Sequence, residues 1–335
     1  MKPLEDCRVL VTGGAGFIGS ALVWELNRRG CARVVVADFL GQTEKWRNLT
    51  PLRFEDYLEA DDLRPRLQAG ALGEFDLVLH LGACSATTER DAAYLIRNNF
   101  EFTKDLAAWA LLQDTRFVYA SSAATYGDGA AGMEDAAEFL DRFRPLNAYG
   151  YSKQIFDQYA HARGWLPRLV GLKYFNIFGP NEDHKADMRS VVHKSYAQVL
   201  ESGVIRLFKS HRPDYQDGEQ KRDFLYVKDA VAMTLHLATS ESAGGLYNIG
   251  SGEAHTWNEL AQAIFAALDR PASIEYIEMP ASLREKYQYY TRANIGKLRA
   301  TGYAAPVTPL AAAVKDYVTG YLAGDCRLGD EPAKK

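Results

Sequence analysis

The run Arg8-Val-Leu-Val-Thr-Gly-Gly-Ala-Gly-Phe-Ile-Gly-Ser20 joins a compact β-branched segment to a cluster of glycines and then to a helical pattern. Gly14, Gly16 and Gly19 fit one spacing of a dinucleotide-binding turn, and Gly13, Gly16 and Gly19 fit the GxxGxxG variant equally well. A pyrophosphate needs a tight turn, close backbone approach and tight helix–strand packing. It then sits on unpaired N–H groups at the positive end of a helix dipole. From Phe17 to Arg29, Ile18, Leu22 and Leu26 recur at helical spacing, and Gly30 ends the segment.

Outward from this run the pattern repeats. Arg33–Asp38, Phe75–His80, Arg116–Ala120 and Leu169–Phe175 are short apolar runs separated by longer amphipathic stretches. Runs this apolar suit strands buried on both faces, and the stretches between them suit crossover helices. The class expected is α/β, a doubly wound parallel sheet. After Phe175 the rhythm breaks. Gly179-Pro180 punctuates the chain, and Lys209–Arg222 is polar and loop-like. Phe224–Asp229 resembles the first half again, followed by a helix over Trp257–Leu268, a strand over Ser273–Ile277 and a helix over Pro309–Leu322. The expected division is a first domain over 1–175 plus about 224–250, and a smaller, interleaved α/β substrate domain over about 176–223 plus 251–323. The polar stretch 324–335 is expected to be a flexible tail.

Composition limits the partners. The 335 residues are 47% hydrophobic, and 39 Lys and Arg stand against 43 Asp and Glu for a net charge of −4. This apolar content excludes disorder, and the mild acidity argues against a nucleic-acid surface. Cys7, Cys31, Cys84 and Cys326 are scattered with no metal-ligand spacing, so no metal is expected. The first residues lack the apolar core of a signal peptide, and no run approaches the roughly 18 apolar residues of a membrane span. The cytoplasm is the expected compartment.

Asp38, ending the second run, is placed to bind an adenosine ribose 2′-OH, which favours NAD. Lys45 and Arg47 complicate this. A carboxylate about 4 Å from a 2′-phosphate costs roughly 1–4 kcal/mol, and one cation at similar range cancels it. The residues alone leave NAD and NADP open. In Tyr149-Gly-Tyr-Ser-Lys153, Tyr149 and Lys153 are four apart and share a helical face. An ammonium beside a phenol favours phenolate, so Tyr149 becomes an acid/base group near neutral pH. Ser122 or Thr125, at the end of a strand, can hydrogen-bond a reacting hydroxyl.

With these motifs in order, the chain resembles the extended short-chain dehydrogenase/reductase superfamily, most closely its branch that inverts C6 of an ADP-linked heptose. The likeness rests on Thr12–Ser20, Gly82-Ala-Cys-Ser85 with Thr87-Thr-Glu89, Ala120–Gly127, Pro145–Lys153, Tyr174–Pro180, His184-Lys185, Arg222-Asp-Phe224 and Tyr287-Gln288. It implies a Rossmann sheet, a nucleotide-sugar substrate, NADP as cofactor with NAD second, a transient 6-keto sugar and a homo-oligomer, by resemblance a pentamer. Tyr149 and Lys185 then serve the two faces of C6, Lys153 also holds the nicotinamide ribose, and Ser122 orients the reacting oxygen. The resemblance places Phe17, Ile18, Phe39, Lys45, Ser85, Asn98 and Ile177 with the glycines and Asp38 along the cofactor. It places Asn176, Asp187, Lys194, Phe208, Arg222 and Tyr287 at the substrate, where Arg222 offers a bidentate fork to a diphosphate.

There are departures. Phe39 stands where the branch has a polar residue, and Lys209–Lys221 is longer than in its shortest members. Asp187 follows His184-Lys185 closely enough to raise the Lys185 pKa. Three readings remain: the C6 epimerase, another nucleotide-sugar enzyme such as a UDP-hexose 4-epimerase, and a non-catalytic dinucleotide sensor. Ala123 and Ala124 stand where dehydratases carry an Asp-Glu pair, which disfavours elimination.

Overall fold

A computed structural model of the chain describes residues 2–284 and 287–330. Seven parallel strands form its central sheet: β1 (Val9–Thr12), β2 (Val34–Asp38), β3 (Asp56–Glu59), β4 (Leu77–His80), β5 (Arg116–Ser122), β6 (Leu169–Tyr174) and β11 (Gly245–Ile249). Their order is β11-β6-β5-β4-β1-β2-β3. The chain builds outward from β1 in one direction through β2 and β3, then returns to the other side with β4. That reversal opens a crevice at the carboxyl ends of β1 and β4, where doubly wound sheets bind ligands.

The alternation of side chains along each strand explains why these runs are apolar throughout. Val9, Val11, Val34, Val36, Leu77, Leu79 and Val118 enter one core with α1 (Phe17–Arg28), whereas Leu10, Val35, Val78, Phe117 and Tyr119 enter the other. The second core is completed by α2 (Ala60–Gln68), α4 (Phe102–Leu112) and α5 (Ala148–Ala162), with the short α3 (Ala92–Leu95) ahead of α4. The first core continues through α7 (Val227–Thr239) into α6 (Val191–Ser202), α8 (Trp257–Ala267) and α11 (Leu310–Gly320). Two short helices, α9 (Ala281–Arg284) and α10 (Gly296–Ala300), connect these parts.

Beyond β6 the remaining strands form three small pairs. The first is β7 (Asn176–Phe178) parallel to β10 (Phe224–Tyr226), and the second is β9 (Lys221–Arg222) antiparallel to β12 (His255–Thr256). The third is β8 (Ile205–Phe208) parallel to β13 (Ile274–Ile277). The run Phe224–Asp229 thus differs from expectation. Its strand stops at Tyr226 and pairs outside the central sheet, and Val227 already begins α7. β3 escapes the apolar pattern because only Leu58 of Asp56–Glu59 is buried at this sheet edge. From Gly324 to Asp330 the chain packs back on the body: Leu328 is fully buried and Arg327 is 5% exposed, held by one apolar side chain and by the ion pairs Arg327–Asp183 and Asp325–Arg47. The rest of that expected tail, 331–335, lies outside the described residues.

Candidate active site

A cavity of about 710 Å³ occupies the crevice, within the range of small-molecule sites. The glycines at its floor are required by geometry. Gly13 has φ +68°, and a Cβ there would stand 2.7 Å from the Gly82 nitrogen. A Cβ on Gly19 would stand 2.0 Å from the Gly13 oxygen. Gly16 caps α1 without any side-chain hydrogen bond, which leaves the positive end of the helix to an anion. These residues fit a dinucleotide pyrophosphate.

Asp38 ends β2 beside this turn. One of its oxygens accepts from the Ala15 N–H at 2.9 Å and the Gly16 N–H at 3.1 Å; the other takes Lys45 Nζ at 2.5 Å. Lys45 also donates to the Phe39 carbonyl at 3.1 Å. Acid and cation therefore stand together beside the glycine turn. Phe39, Ser85, Asn98 and Ile177 line it along with Phe17 and Ile18.

The acid/base pair is built by α5. Asn147 caps the helix, accepting from the Gly150 N–H at 2.8 Å, so Tyr149 and Lys153 lie in its opening turns. Both line the cavity with Ser122. Burial pushes the Tyr149 phenol above its usual range, and a hydrogen bond with Ser122 opposes this. Burial draws Lys153 down to about 8, against the pull of Asp157. This corrects the expectation of a phenol lowered by its lysine: desolvation dominates both groups.

A hydrogen-bond chain fixes this helix relative to the glycine turn. Thr103 uses its hydroxyl proton on the Asn99 carbonyl at 2.5 Å, and its oxygen lies 2.8 Å from His80 Nε2. Nε2 therefore carries the imidazole proton, and Nδ1 accepts from Thr12 Oγ1 at 2.6 Å. Asn99 holds Cys84 through both its backbone groups and donates to Ser152 Oγ at 2.9 Å, and Ser152 donates to the Tyr149 carbonyl at 2.7 Å. Burial keeps His80 neutral, its pKa drawn from 6.5 to about 3. Between these values the unfolded chain takes up a proton that the folded chain refuses. Stability is thus expected to fall as pH drops from 6.5 towards 3, by about 1.4 kcal/mol per unit from this group. Urea midpoints across that window should show a shallower slope in His80→Gln; an equal slope would contradict the assignment.

Lys185 reaches the same cavity from the segment after Pro180. Its ammonium lies 5.3 Å from the centre of the Phe17 ring. Burial lowers its pKa, and Glu182 is the carboxylate that opposes this. Asp187 is exposed and plays no such part, contrary to expectation, because Ala186 at φ +47° separates it from Lys185 in a reversed backbone.

The substrate candidates divide. Asn176 lines the cavity; Asp187, Lys194, Phe208, Arg222 and Tyr287 do not. Lys194 is exposed on α6, and Phe208 ends β8. Arg222 stands just behind the wall. Its guanidinium is 5.0 Å from the Tyr287 ring centre and 5.7 Å from that of Trp257, which does line the cavity. Nη1 and Nη2 donate to the Lys221 and Gln288 carbonyls.

Several contributors escaped the sequence reading. Asn99 sits in a π-helical stretch, Ile96–Glu101, whose spacing departs from the helical period. Asp157 was findable, since it lies four residues beyond Lys153 on the same face. It is fully buried and accepts from Tyr119 at 2.8 Å, Ser121 at 2.7 Å and Lys173 at 2.8 Å.

Among the described residues no helix is long and apolar enough to cross a membrane. A profile described as the NAD dependent epimerase/dehydratase family matches residues 9–250. A relative from Nitratidesulfovibrio vulgaris named ADP-L-glycero-D-manno-heptose-6-epimerase is 50% identical, spanning 94% of this chain and 98% of its own length. One of the same name from Fusobacterium nucleatum is 43% identical over 94% and 98%. The Helicobacter pylori structure of that name superposes with a TM-score of 0.81 at 27% identity, covering 95% of this chain and 97% of that one. The Thermus thermophilus UDP-glucose 4-epimerase in complex with NAD gives 0.74 at 27%, covering 93% and 97%. With its sheet reversal, glycine turn and Tyr149–Lys153 pair gathered at one cavity, the chain belongs to the NAD dependent epimerase/dehydratase family.

Proposed function

We propose that the chain inverts C6 of ADP-D-glycero-β-D-manno-heptose to the L-glycero epimer through a transient 6-keto sugar. The observation that carries this reading is that two proton-holding groups, Tyr149 and Lys185, both line the cavity floored by the glycine turn. Inversion at one carbon exposes two faces, and each benefits from its own acid or base. The relatives named for this activity, at 39–50% identity, support it.

When bound, a nicotinamide dinucleotide would supply hydride acceptance and return; Gly13, Gly16 and Gly19 would hold its pyrophosphate, and Ser85, Asn98 and Ile177 would line the rest of it. Lys45 is the cation that a 2′-phosphate needs, so NADP is the first choice and NAD, through Asp38, the second. Tyr149 exchanges a proton with the sugar oxygen that Ser122 orients. Lys153 favours the phenolate while protonated. Lys185, its charge disfavoured by burial, serves the opposite face. Asn176 contacts the sugar nucleotide, while Arg222 and Tyr287 back the Trp257 wall from behind and lend it positive charge; Asp187, Lys194 and Phe208 lie outside the cavity. We place the protein in the cytoplasm, where its free thiols stay reduced, and infer a homo-oligomer from the family resemblance.

The test is incubation with ADP-D-glycero-β-D-manno-heptose and NADP, following the C6 configuration by NMR. Inversion without net consumption of cofactor is expected; none would sink the proposal. Lys185→Ala is expected to lower kcat by about 10²-fold. Unchanged turnover would overturn the two-group reading and favour a single-base epimerase.

A further inference from the structure

The segment Asp325–Asp330 is fastened to the loop that carries Lys185. Leu328 is fully buried in the core that holds Leu49 and Leu52, and its N–H donates to Asn181 Oδ1 at 3.0 Å. Asn181 is itself fully buried, with φ +77°. Its side-chain nitrogen donates to Ser20 Oγ on α1 at 2.9 Å. Its carbonyl accepts from Asn48 Nδ2 at 3.0 Å, the same nitrogen that reaches the Ala15 carbonyl at 3.0 Å and His184 Nδ1 at 3.3 Å. Two residues on, Asp183 lies 3.5 Å from the Nε of Arg327. Arg327 also donates to Asp325 Oδ1 at 3.0 Å, and Asp325 takes Arg47 at 2.7 Å.

We propose that Leu328 and Arg327 are positioning residues for Lys185, acting through Asn181 and Asp183. The physical argument concerns the backbone between. Asn181 and Ala186 both occupy the left-handed region without being glycine. Such conformations persist only where surrounding contacts over-determine them. The loop has no regular structure beyond the 3-10 turn Asp183–Met188 to supply those contacts. At Asn181 they come from α1, from Asn48 and from Leu328. Without the Leu328 anchor the backbone relaxes towards ordinary angles, and the Lys185 ammonium, four residues on, leaves its place over Phe17. This inference rests on the reading of Lys185 as a proton-transfer group.

The experiment uses the full chain with Leu328→Ala, the conservative Leu328→Met, and Leu328→Ala combined with Lys185→Ala. Leu328→Ala is expected to lower kcat about tenfold, and Leu328→Met to restore it to within about twofold. In the Lys185→Ala background, Leu328→Ala should add less than about twofold, because residues acting as a unit are not additive. Amide exchange over 181–188 should quicken about tenfold in Leu328→Ala while β1 and β4 keep their protection. Arg327→Gln, which retains the apolar anchor, should show a smaller change of the same kind and covers the case in which Leu328→Ala fails to fold. Equal losses in both backgrounds, or unchanged exchange over 181–188, would overturn the proposal. Full turnover in Lys185→Ala alone would instead overturn the reading of Lys185, and the exchange result would still decide whether Leu328 holds the loop.

Discussion

Replacing Tyr149 by phenylalanine is expected to lower kcat by about 10²–10⁴-fold, the range a positioned acid/base supplies. Nicotinamide binding should stay within about twofold, because the ring remains and only the hydroxyl is lost. Burial holds the phenol above its ordinary range, so the group waits in its protonated form at neutral pH. That form hands a proton to a carbonyl oxygen as the alcohol is restored; the opposite direction needs phenolate. Lys153 is the cation that favours phenolate, and it sheds its proton as pH rises through about 8. Its help is therefore present below that pH and lost above it. An alkaline decline in kcat/KM near pH 8, absent from the residual activity of Tyr149→Phe, is the measurement that checks this. A Tyr149→Phe variant with full turnover would remove the residue from the reaction.

The second large effect concerns stability. Asp157→Ala is expected to cost about 3–5 kcal/mol, read as a fall in the urea midpoint, because it leaves a buried cation without its anion. Lys173 is fully buried and, among the described residues, keeps the Thr125 hydroxyl at 2.8 Å and the Tyr126 ring at 5.0 Å. Tyr119 and Ser121 lose their acceptor at the same stroke. Asp157→Leu combined with Lys173→Met should recover much of the loss, since apolar replacements of both partners leave no unpaired charge. A single-variant loss below about 1 kcal/mol would mean that the pair is far less desolvated than its burial implies. Asp157 also supports the charge on Lys153 from one helical turn away. Any Asp157 variant that folds should therefore move the alkaline limb to lower pH.

What the sequence made legible was local. Val34–Asp38 and Leu77–His80 announce themselves because a strand buried on both faces has no room for polar residues. The glycine turn and the Tyr149–Lys153 pair are read within a single element, where spacing alone sets geometry. The illegible features join residues far apart along the chain. Asp157 meets Lys173 because β6 lies beside β5, and Asn99 meets Cys84 and Ser152 because α5 packs over the π-helical turn. No periodicity encodes a sheet order, so neither contact is visible beforehand. Asp56–Glu59 failed for another reason: an edge strand needs only one buried side chain, and Leu58 cannot make a pattern by itself. The stretch after Gly324 reads as a tail because polarity is averaged over it, whereas one leucine and two ion pairs to distant residues decide its placement.

The carboxylate of Asp38, already bonded to two amides of the glycine turn and to Lys45, acts as a tethered anion at the start of α1. Lys45 is therefore not a lone charge: a 2′-phosphate reaching this end of the cavity has to share it with a carboxylate 2.5 Å away. Binding there trades one ion pair for another, so the gain is smaller than an unpaired lysine would give.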